Sequence, residues 1–382
     1  MKSRRTVAVV TLASIGLIVA AIQPLSFAQT AQGARVEAVV PTYEVVPGWL
    51  KVPEWRKETR GWDSSNEIGS MHGDVAVSST GDVYVSVEGT ARQRFASNGP
   101  GPGLQVYDAS GNFVRNVPNA PSDFHGFVIH REAGGEFIYG ARLGNGTTPE
   151  YLARIAEQVI VKMSLDGKVA LAIPASSIPD QFKNKTEDGR PFTRLTHATV
   201  APNGDIYVAD GYASSFIHRF DRTGKYVKSF GGSAPPYGFR TLHKLAIDTR
   251  FTPARLIACD RANNRIVHLT LEGDLIGVVA TDIVLPAAIA VFKDYVAIAS
   301  LRGQVYLLDK AGKVMSNLGV NTVADEVQNN ATEPSKWRPG IFTAPHGIAF
   351  SSQGDLLISE FNLYGRVHRF NLRTPQVTSG SR

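Results

Sequence analysis

The stretch that decides the fold runs from residue 199 to residue 230 and reads TVAPNGDIYVADGYASSFIHRFDRTGKYVKSF. It contains four short runs of alternating apolar and polar residues, separated by turn-forming pairs such as Asn203-Gly204 and Thr223-Gly224. Alternation with a period of two is typical of a β-strand, and Gly beside Asn, Asp or Thr favours a tight turn between strands. The stretch therefore predicts a small antiparallel sheet of four strands.

The same pattern recurs along the rest of the chain. Clear copies start at Asp74, Leu245 and Gly347, and weaker copies start at Gly126 and Ile289, so that six units are present in all. A repeat of about 40 to 50 residues with four strands is typical of a propeller blade, and no helical period of useful length separates the strands. We therefore predict an all-β fold, a six-bladed β-propeller with four antiparallel strands in each blade.

The ends of the chain lie outside the repeats. The first 28 residues have the form of a secretory signal, with the basic sequence MKSRR, an apolar run from Thr6 to Ile22 and a cleavage site expected after Ala28. An uncleaved membrane anchor is the alternative, although 17 apolar residues are few for a span. We expect a signal at 1–28, a leader at 29–69 that packs on the propeller or closes it, the propeller at 70–375 and a flexible tail at 376–382.

The composition excludes several classes of protein. Of the 382 residues, 43% are hydrophobic, 36 are glycine and one is cysteine, which excludes a disordered chain, collagen and a disulfide scaffold. The net charge is +6, and half of this excess comes from Lys2, Arg4 and Arg5 in the predicted signal, so nucleic acid is not an expected partner. We expect a secreted or periplasmic monomer that acts on a small molecule or a peptide and has no membrane contact after signal cleavage.

Histidines mark the start of most units. Five of the nine histidines are expected to share the same point of their unit, just before its first apolar run, namely His72, His125, His197, His243 and His346. In a propeller this run is the innermost strand and lines the central channel, so imidazoles placed there converge. Three neutral imidazoles that leave one position open are a common catalytic zinc site. We therefore predict a metal site, and the alternative is that these rings only bond to water or to the backbone.

The sequence also resembles a known family. VADGYASSFIHRFDRTGKYVKSFGG at 208–232, followed by TLHKLAID and CDRANNRIVHL, is similar to blades of the peptidyl-α-hydroxyglycine α-amidating lyases and their bacterial NHL-type relatives, which are six-bladed propellers. PHGIAF, from Pro345, extends the similarity to the last blade. The resemblance implies that zinc is held by histidines of the second, fourth and sixth blades, which are His125, His243 and His346.

The resemblance also assigns two catalytic groups. It implies that Tyr212, in the DGY sequence, takes the proton of the substrate hydroxyl, and that Arg261, in the DR pair, lies beside the substrate. The structural alternatives are packing within the blade for Tyr212 and a salt bridge with Asp260 for Arg261. A phenol is a weak base at neutral pH, so this assignment requires positive charge close to it.

Three features depart from the family pattern. Glu88 stands where the family has an arginine, so Arg92 or Arg94 is expected to contact the substrate instead. Gly347 follows the histidine of the sixth blade, where the family has an aspartate tied to a structural calcium, which weighs against calcium in this chain. Two additional channel histidines are expected to contact the substrate, His72 and His197.

The reaction implied by the resemblance is the cleavage of an N-acyl carbinolamine, in which a peptidyl- or acyl-α-hydroxyglycine splits into an amide and glyoxylate. Two other functions stay open on the same fold. A metal-dependent hydrolase or lactonase would use calcium, which prefers carboxylate and amide oxygens as ligands. A non-catalytic NHL propeller would bind a peptide or a glycan through its long loops.

Overall fold

The computed structural model describes residues 40–51, 68–88, 103–144 and 156–373. The predicted signal, much of the leader, the two arginines Arg92 and Arg94, and the predicted tail lie outside this part of the chain. Within it, no helix is long and apolar enough to cross a membrane. The described ranges also contain four short 3-10 helices, at Ala175–Ser177, Asp180–Phe182, Arg261–Asn263 and Pro334–Lys336.

The strands are numbered along the chain from β1 (Thr42–Val45). The first blade contains β2 (Val75–Val77), β3 (Val83–Val87), β4 (Gly103–Tyr107) and β5 (Phe113–Asn116). The second blade contains β6 (Phe124–Glu132), β7 (Gly135–Arg142), β8 (Ile160–Ser164) and β9 (Val169–Ile173). A hairpin follows, made of β10 (Asn184–Lys185) and β11 (Pro191–Phe192). The third blade contains β12 (His197–Val200), β13 (Ile206–Ala209), β14 (Phe216–Phe220) and β15 (Tyr226–Gly231).

The second half of the chain repeats this order. The fourth blade contains β16 (Leu242–Asp248), β17 (Arg255–Asp260), β18 (Arg265–Thr270) and β19 (Leu275–Ala280). The fifth blade contains β20 (Pro286–Phe292), β21 (Tyr295–Ser300), β22 (Gln304–Leu308) and β23 (Val314–Leu318). The sixth blade contains β24 (Pro345–Phe350), β25 (Leu356–Glu360), β26 (Val367–Arg373) and, outermost, β1. These six antiparallel sheets of four strands confirm the predicted β-propeller.

The first described strand closes the ring. β1 pairs with β26 in antiparallel register, with Thr42 opposite Arg373 and Val45 opposite Phe370. The leader thus supplies the outermost strand of the last blade. The sixth blade contains strands from both ends of the described chain and holds the ring closed through backbone hydrogen bonds.

The core lies between neighbouring blades. Every residue of β13 is buried, with Ile206 and Val208 packed toward the second blade and Tyr207 and Ala209 packed toward the fourth. Since successive side chains of a strand point to opposite faces, a strand covered on both faces is apolar at every position. Each fully buried Val or Ile contributes about 1.5 to 3 kcal/mol, so this packing gives the channel a rigid frame.

Candidate metal centre and active site

Three histidines occupy equivalent bulges in alternate blades. The pairing of the innermost strand with the second strand shifts register between Phe124 and Gly126, between Leu242 and Leu245, and between Pro345 and Gly347. His125, His243 and His346 lie in these shifts. A β-bulge leaves its extra residue out of the ladder and re-aims its side chain, and here the three imidazoles meet in the channel.

The other two channel histidines are not equivalent to these three, so the expectation that all five share one blade position is wrong. The turns at Ser78, Ala201 and Ser351 close with the same hydrogen bond to an aspartate carbonyl and give a common reference point. His346 stands five residues before its turn, whereas His72 stands six before and His197 four before. Counting back from the Gly-Asp turns, rather than aligning on histidine, would have revealed this difference. The residues at the equivalent point of the first, third and fifth blades are Gly73, Thr196 and Ala287.

Those three residues orient the imidazoles. The Nδ1 atoms of His125, His243 and His346 lie 2.7, 2.5 and 3.2 Å from backbone carbonyl oxygens of the next blade in the ring. The acceptors are, in the same order, the carbonyls of Thr196, Ala287 and Gly73. A carbonyl only accepts, so each Nδ1 carries the proton and each Nε2 presents a lone pair. Metal-binding histidines are oriented in this way in proteins.

The spacing of the three rings fits a metal ion. The ring centroids are 4.9 Å apart for His125 and His243, 4.8 Å for His125 and His346, and 4.9 Å for His243 and His346. With a Zn–N bond of about 2.0 to 2.1 Å, three imidazoles at tetrahedral positions would have centroids about 5 Å apart. Within the described part of the chain, the buried Nε2 atoms of His125 and His346 have no hydrogen-bond partner, as a ligand atom requires.

His72 forms a second triangle that shares one edge with the first. Its ring centroid lies 4.8 Å from that of His125 and 4.9 Å from that of His346, and ligand nitrogens of these three residues lie within 4.8 Å of one another. His243 instead has its Nε2 3.0 Å from the hydroxyl of Tyr212. The nitrogens of His72, His125 and His346 are therefore close enough to hold one metal ion, and the triangle with His243 differs from this one only in its third member.

The electrostatic environment keeps the buried rings neutral. Burial lowers the pKa of His125 to about 3, and the charge of Arg261 also acts against its protonation. Burial is likewise the main cause that holds the pKa values of His243 and His346 well below the usual range. Neutral imidazole is the form that binds a metal, so these three side chains are in their ligand state at neutral pH.

Tyr212 and Arg261 lie beside this cluster. The Tyr212 oxygen is 3.0 Å from His243 Nε2 and 3.4 Å from His72 Nε2, and it accepts a hydrogen bond of 3.1 Å from Arg261. The turn that carries Tyr212 passes so close to the fourth blade that a Cβ on Gly211 would lie 2.1 Å from the carbonyl oxygen of Leu242. Only glycine fits there, and this close approach brings the phenol over the channel.

Buried carboxylates at the ends of second strands anchor the segments that lead into the innermost strands. Each accepts backbone N–H groups that an uncharged side chain would satisfy less strongly. Asp260 holds Arg240 N at 2.9 Å and is followed directly by Arg261, so it fixes both the approach to His243 and the start of the Arg261 turn. The corresponding bonds are those of Asp210 with Arg194 N and of Glu360 with Thr343 N and Ala344 N.

His197 belongs to a buried group that includes an ion pair. It is 1% exposed, and its Nε2 is 3.7 Å from Asp74, whose carboxylate accepts bonds of 2.6 to 2.7 Å from the Lys244 ammonium. Burial and the charge of Lys244 lower the pKa of His197 well below its usual range. The sequence reasoning missed this ion pair because Asp74 and Lys244 are 170 residues apart. The sequence did contain one signal for this pair, because Asp74 and Lys244 each stand directly before the first apolar residue of their unit.

The remaining predicted positions are placed as follows. Glu88 lies 4.0 Å from His72 Nδ1, on the first-blade side of the cluster. Arg92 and Arg94 fall outside the described residues.

Two further residues beside the cluster were not predicted. Arg194 has its guanidinium 5.8 Å from the Tyr212 ring centroid. Phe361, also missed, packs on His72 with a centroid distance of 4.2 Å. Phe361 directly follows the second strand of its blade, as Arg261 does, which was the signal for it.

Comparison with known proteins gives only distant similarity in sequence. No protein-family model matches the chain. Over 243 residues, or 57% of this chain, it is 26% identical to peptidyl-alpha-hydroxyglycine alpha-amidating lyase 1 of Drosophila melanogaster. The match spans about two-fifths of that relative's length, 41%. The chain is therefore similar to part of a lyase.

Comparison with solved structures concerns the fold. A gluconolactonase from Xanthomonas campestris superposes with a TM-score of 0.53 and 12% identity, over 81% of this chain and 88% of that chain. A virginiamycin B lyase from Staphylococcus aureus superposes with a TM-score of 0.50 and 12% identity, over 81% of this chain and 98% of that chain. At such low identity these matches establish a shared propeller architecture and leave the reaction to be argued from the site.

Proposed function

We propose that the chain is an exported, zinc-dependent carbon–nitrogen lyase. Its substrate would be an N-acyl carbinolamine, a peptidyl- or acyl-α-hydroxyglycine, which it splits into an amide and glyoxylate. The observation that carries the proposal is the set of three buried imidazoles with carbonyl-bound Nδ1 atoms, beside the phenol of Tyr212 and the guanidinium of Arg261. The similarity to a lyase of Drosophila melanogaster supports the same class of reaction.

The proposed ligands are His125, His243 and His346. Their three neutral side chains bring no negative charge to the ion, and their arrangement leaves a position for the substrate. When bound, zinc supplies a Lewis acid beside the hydroxyl or the carboxylate of the substrate. Calcium fits this donor set poorly because it prefers oxygen ligands, and the Asp74 carboxylate in the channel is already paired with Lys244.

The chain's own residues would carry the proton. Tyr212 Oη takes the proton of the substrate hydroxyl, whose oxygen then forms the C=O bond of glyoxylate as the C–N bond breaks. The amide nitrogen leaves with the electron pair of that bond and takes up the proton that Tyr212 has accepted, so Tyr212 returns to its starting state and no proton is gained or lost overall. Arg261 donates one N–H to Tyr212 and has further N–H groups for the substrate carboxylate. A positioned acid–base group of this kind contributes about a hundredfold to ten-thousandfold in rate.

The experiment is a metal analysis of the purified mature protein, together with glyoxylate release from a panel of N-acyl-α-hydroxyglycines. We expect one zinc ion per chain and the release of amide and glyoxylate in equal amounts. Chelation of the zinc should abolish the release of both products, and added zinc should restore it. A protein that contains calcium and opens lactones would overturn the proposal. So would a metal-free protein that binds a peptide or a glycan without turnover.

A further inference from the structure

At two positions beside the channel, the fifth blade has apolar residues where the fourth blade has polar ones. At the bulge it has Ala287, where the fourth and sixth blades have His243 and His346. After its second strand it has Leu301, where the fourth blade has Arg261. At these two positions the fifth blade therefore offers small or apolar side chains where the fourth blade offers an imidazole and a guanidinium.

Leu285 adds to this apolar side and has an unusual backbone. Its φ is +43°, a left-handed conformation that is unfavourable for a residue with a bulky side chain. Two contacts hold it there: its N–H donates to the Asn264 side chain at 2.9 Å, and its carbonyl accepts from Leu301 N at 3.2 Å. Since strained residues of this type cluster at ligand sites, the position of the Leu285 side chain calls for a functional explanation.

These side chains form one surface, which we name the apolar wall. It consists of Leu285, Leu301 and Phe361 over the buried Ala287 and Ala344. The carbonyl of Ala287 holds His243 Nδ1, so the wall begins directly behind a proposed metal ligand. At its other end Phe361 lies 4.2 Å from the ring centroid of His72 and 6.1 Å from that of His346. The wall therefore borders the metal cluster along the fifth and sixth blades.

Charge is placed on another side of the same cluster. Arg261 belongs to the fourth blade, and its guanidinium lies 5.0 Å from the centroid of the Tyr212 ring. A substrate whose carboxylate pairs with Arg261 and whose hydroxyl lies near Tyr212 would extend its acyl group away from that charge. The neighbouring surface that suits an uncharged group is the apolar wall.

We infer that the apolar wall binds the acyl group of the substrate, so that the preferred substrates are α-hydroxyglycines with an apolar acyl group larger than acetyl. This inference rests on the proposed function. Each methylene fully removed from water improves binding by about fourfold, and by about twofold when half of it is covered. Extension from acetyl to hexanoyl adds four methylenes and should therefore strengthen binding by roughly tenfold or more.

The test measures the binding of N-acylglycines, which lack the hydroxyl and cannot be cleaved, to the zinc-loaded protein by calorimetry. Acetylglycine, butyrylglycine and hexanoylglycine should bind with steadily increasing affinity. Leu301→Asn and Leu285→Asn should reduce the increase in affinity with acyl chain length. Asparagine is suitable at position 285 because it tolerates the left-handed backbone there. Val278→Asn, which removes an exposed side chain from the outer strand of the fourth blade, is the matched control and should leave the series unchanged.

The outcomes separate the inference from the proposed function. A chain-length series that is flat in the unmodified protein, or equally steep in Leu301→Asn and Leu285→Asn, overturns the wall as the acyl site. Steep binding without glyoxylate release from the corresponding α-hydroxyglycines supports the wall and contradicts the lyase reaction. Failure of every N-acylglycine to bind overturns the inference whatever the catalytic result.

Discussion

The two histidine triangles predict different effects for two single substitutions. His125 and His346 belong to both triangles, so their substitution does not show which triangle binds the metal. His243 belongs only to the triangle with carbonyl-bound Nδ1 atoms, and His72 only to the other. We expect His243→Ala to lose the metal and His72→Ala to keep it.

The size of the effect follows from the number of ligands. Zinc sites with four ligands in peptides bind with about 10 to 16 kcal/mol, so one ligand accounts for about 3 kcal/mol, or roughly a hundredfold in the dissociation constant. His243→Ala leaves two imidazoles and should weaken zinc binding by about this factor. His72→Ala leaves the triangle of His125, His243 and His346 complete and should change zinc binding by less than tenfold.

The assay is competition for zinc against a series of chelators, with circular dichroism to establish that each variant keeps its β-rich fold. Cobalt substitution gives a second reading, because the visible spectrum of bound Co²⁺ reports the number of its ligands. Full zinc retention by His243→Ala together with loss in His72→Ala would refute the assignment. The metal would then lie on His72, His125 and His346.

Three further predictions follow from other parts of the molecule. Tyr212→Phe keeps the ring beside His125 and should lower kcat by a hundredfold or more while the zinc content stays the same, as measured by steady-state kinetics and metal analysis. Unchanged turnover would leave Tyr212 as a packing residue. Burial alone would raise the pKa of Glu360, but the charge of Arg366 and the bonds from His368 and Thr343 hold it at about 2. Glu360 stabilises the fold fully above pH 4.5, which is its pKa in the unfolded chain, and this contribution is lost as the pH falls toward 2. Glu360→Gln should therefore lower the free energy of unfolding by roughly 3 kcal/mol at pH 7, and in urea unfolding the variant should lose stability less steeply on acidification than the unmodified protein. Equal slopes for the two proteins would contradict this. N-terminal sequencing of secreted material should begin at Gln29, whereas a membrane-bound form that begins at Met1 would indicate an uncleaved anchor.

The blade architecture could be predicted from the sequence because its signals are local. The alternation and the Gly-Asp turn of a unit such as residues 199–230 specify four strands without reference to distant residues. The exact position of each histidine could not be predicted as well. A shift of one residue, as at His72 and His197, changes where a side chain of the innermost strand points, and the bulges that produce such shifts have no sequence signature of their own.

Contacts across the channel were the least predictable part of the site. Asp74 and Lys244 form their ion pair across 170 residues, and Tyr212 reaches His72 across 140. The sequence of one unit does not predict such a pair, because its two residues become neighbours only when the ring of blades closes. The same applies to the apolar wall, since Leu301 and Phe361 become neighbours only when the fifth and sixth blades pack together.

The pairing that closes the ring also determines how the molecule responds to mechanical force. Because β1 and β26 are antiparallel, Thr42 lies opposite Arg373, and tension between residues 42 and 373 acts on this first pair alone. The strands then separate one hydrogen bond after another, as in a zipper, rather than all together as in shear. β1 is the outermost strand, so its removal leaves β24 and His346 inside the blade. A pulled molecule should therefore open at low force at its rim while its histidine cluster stays assembled.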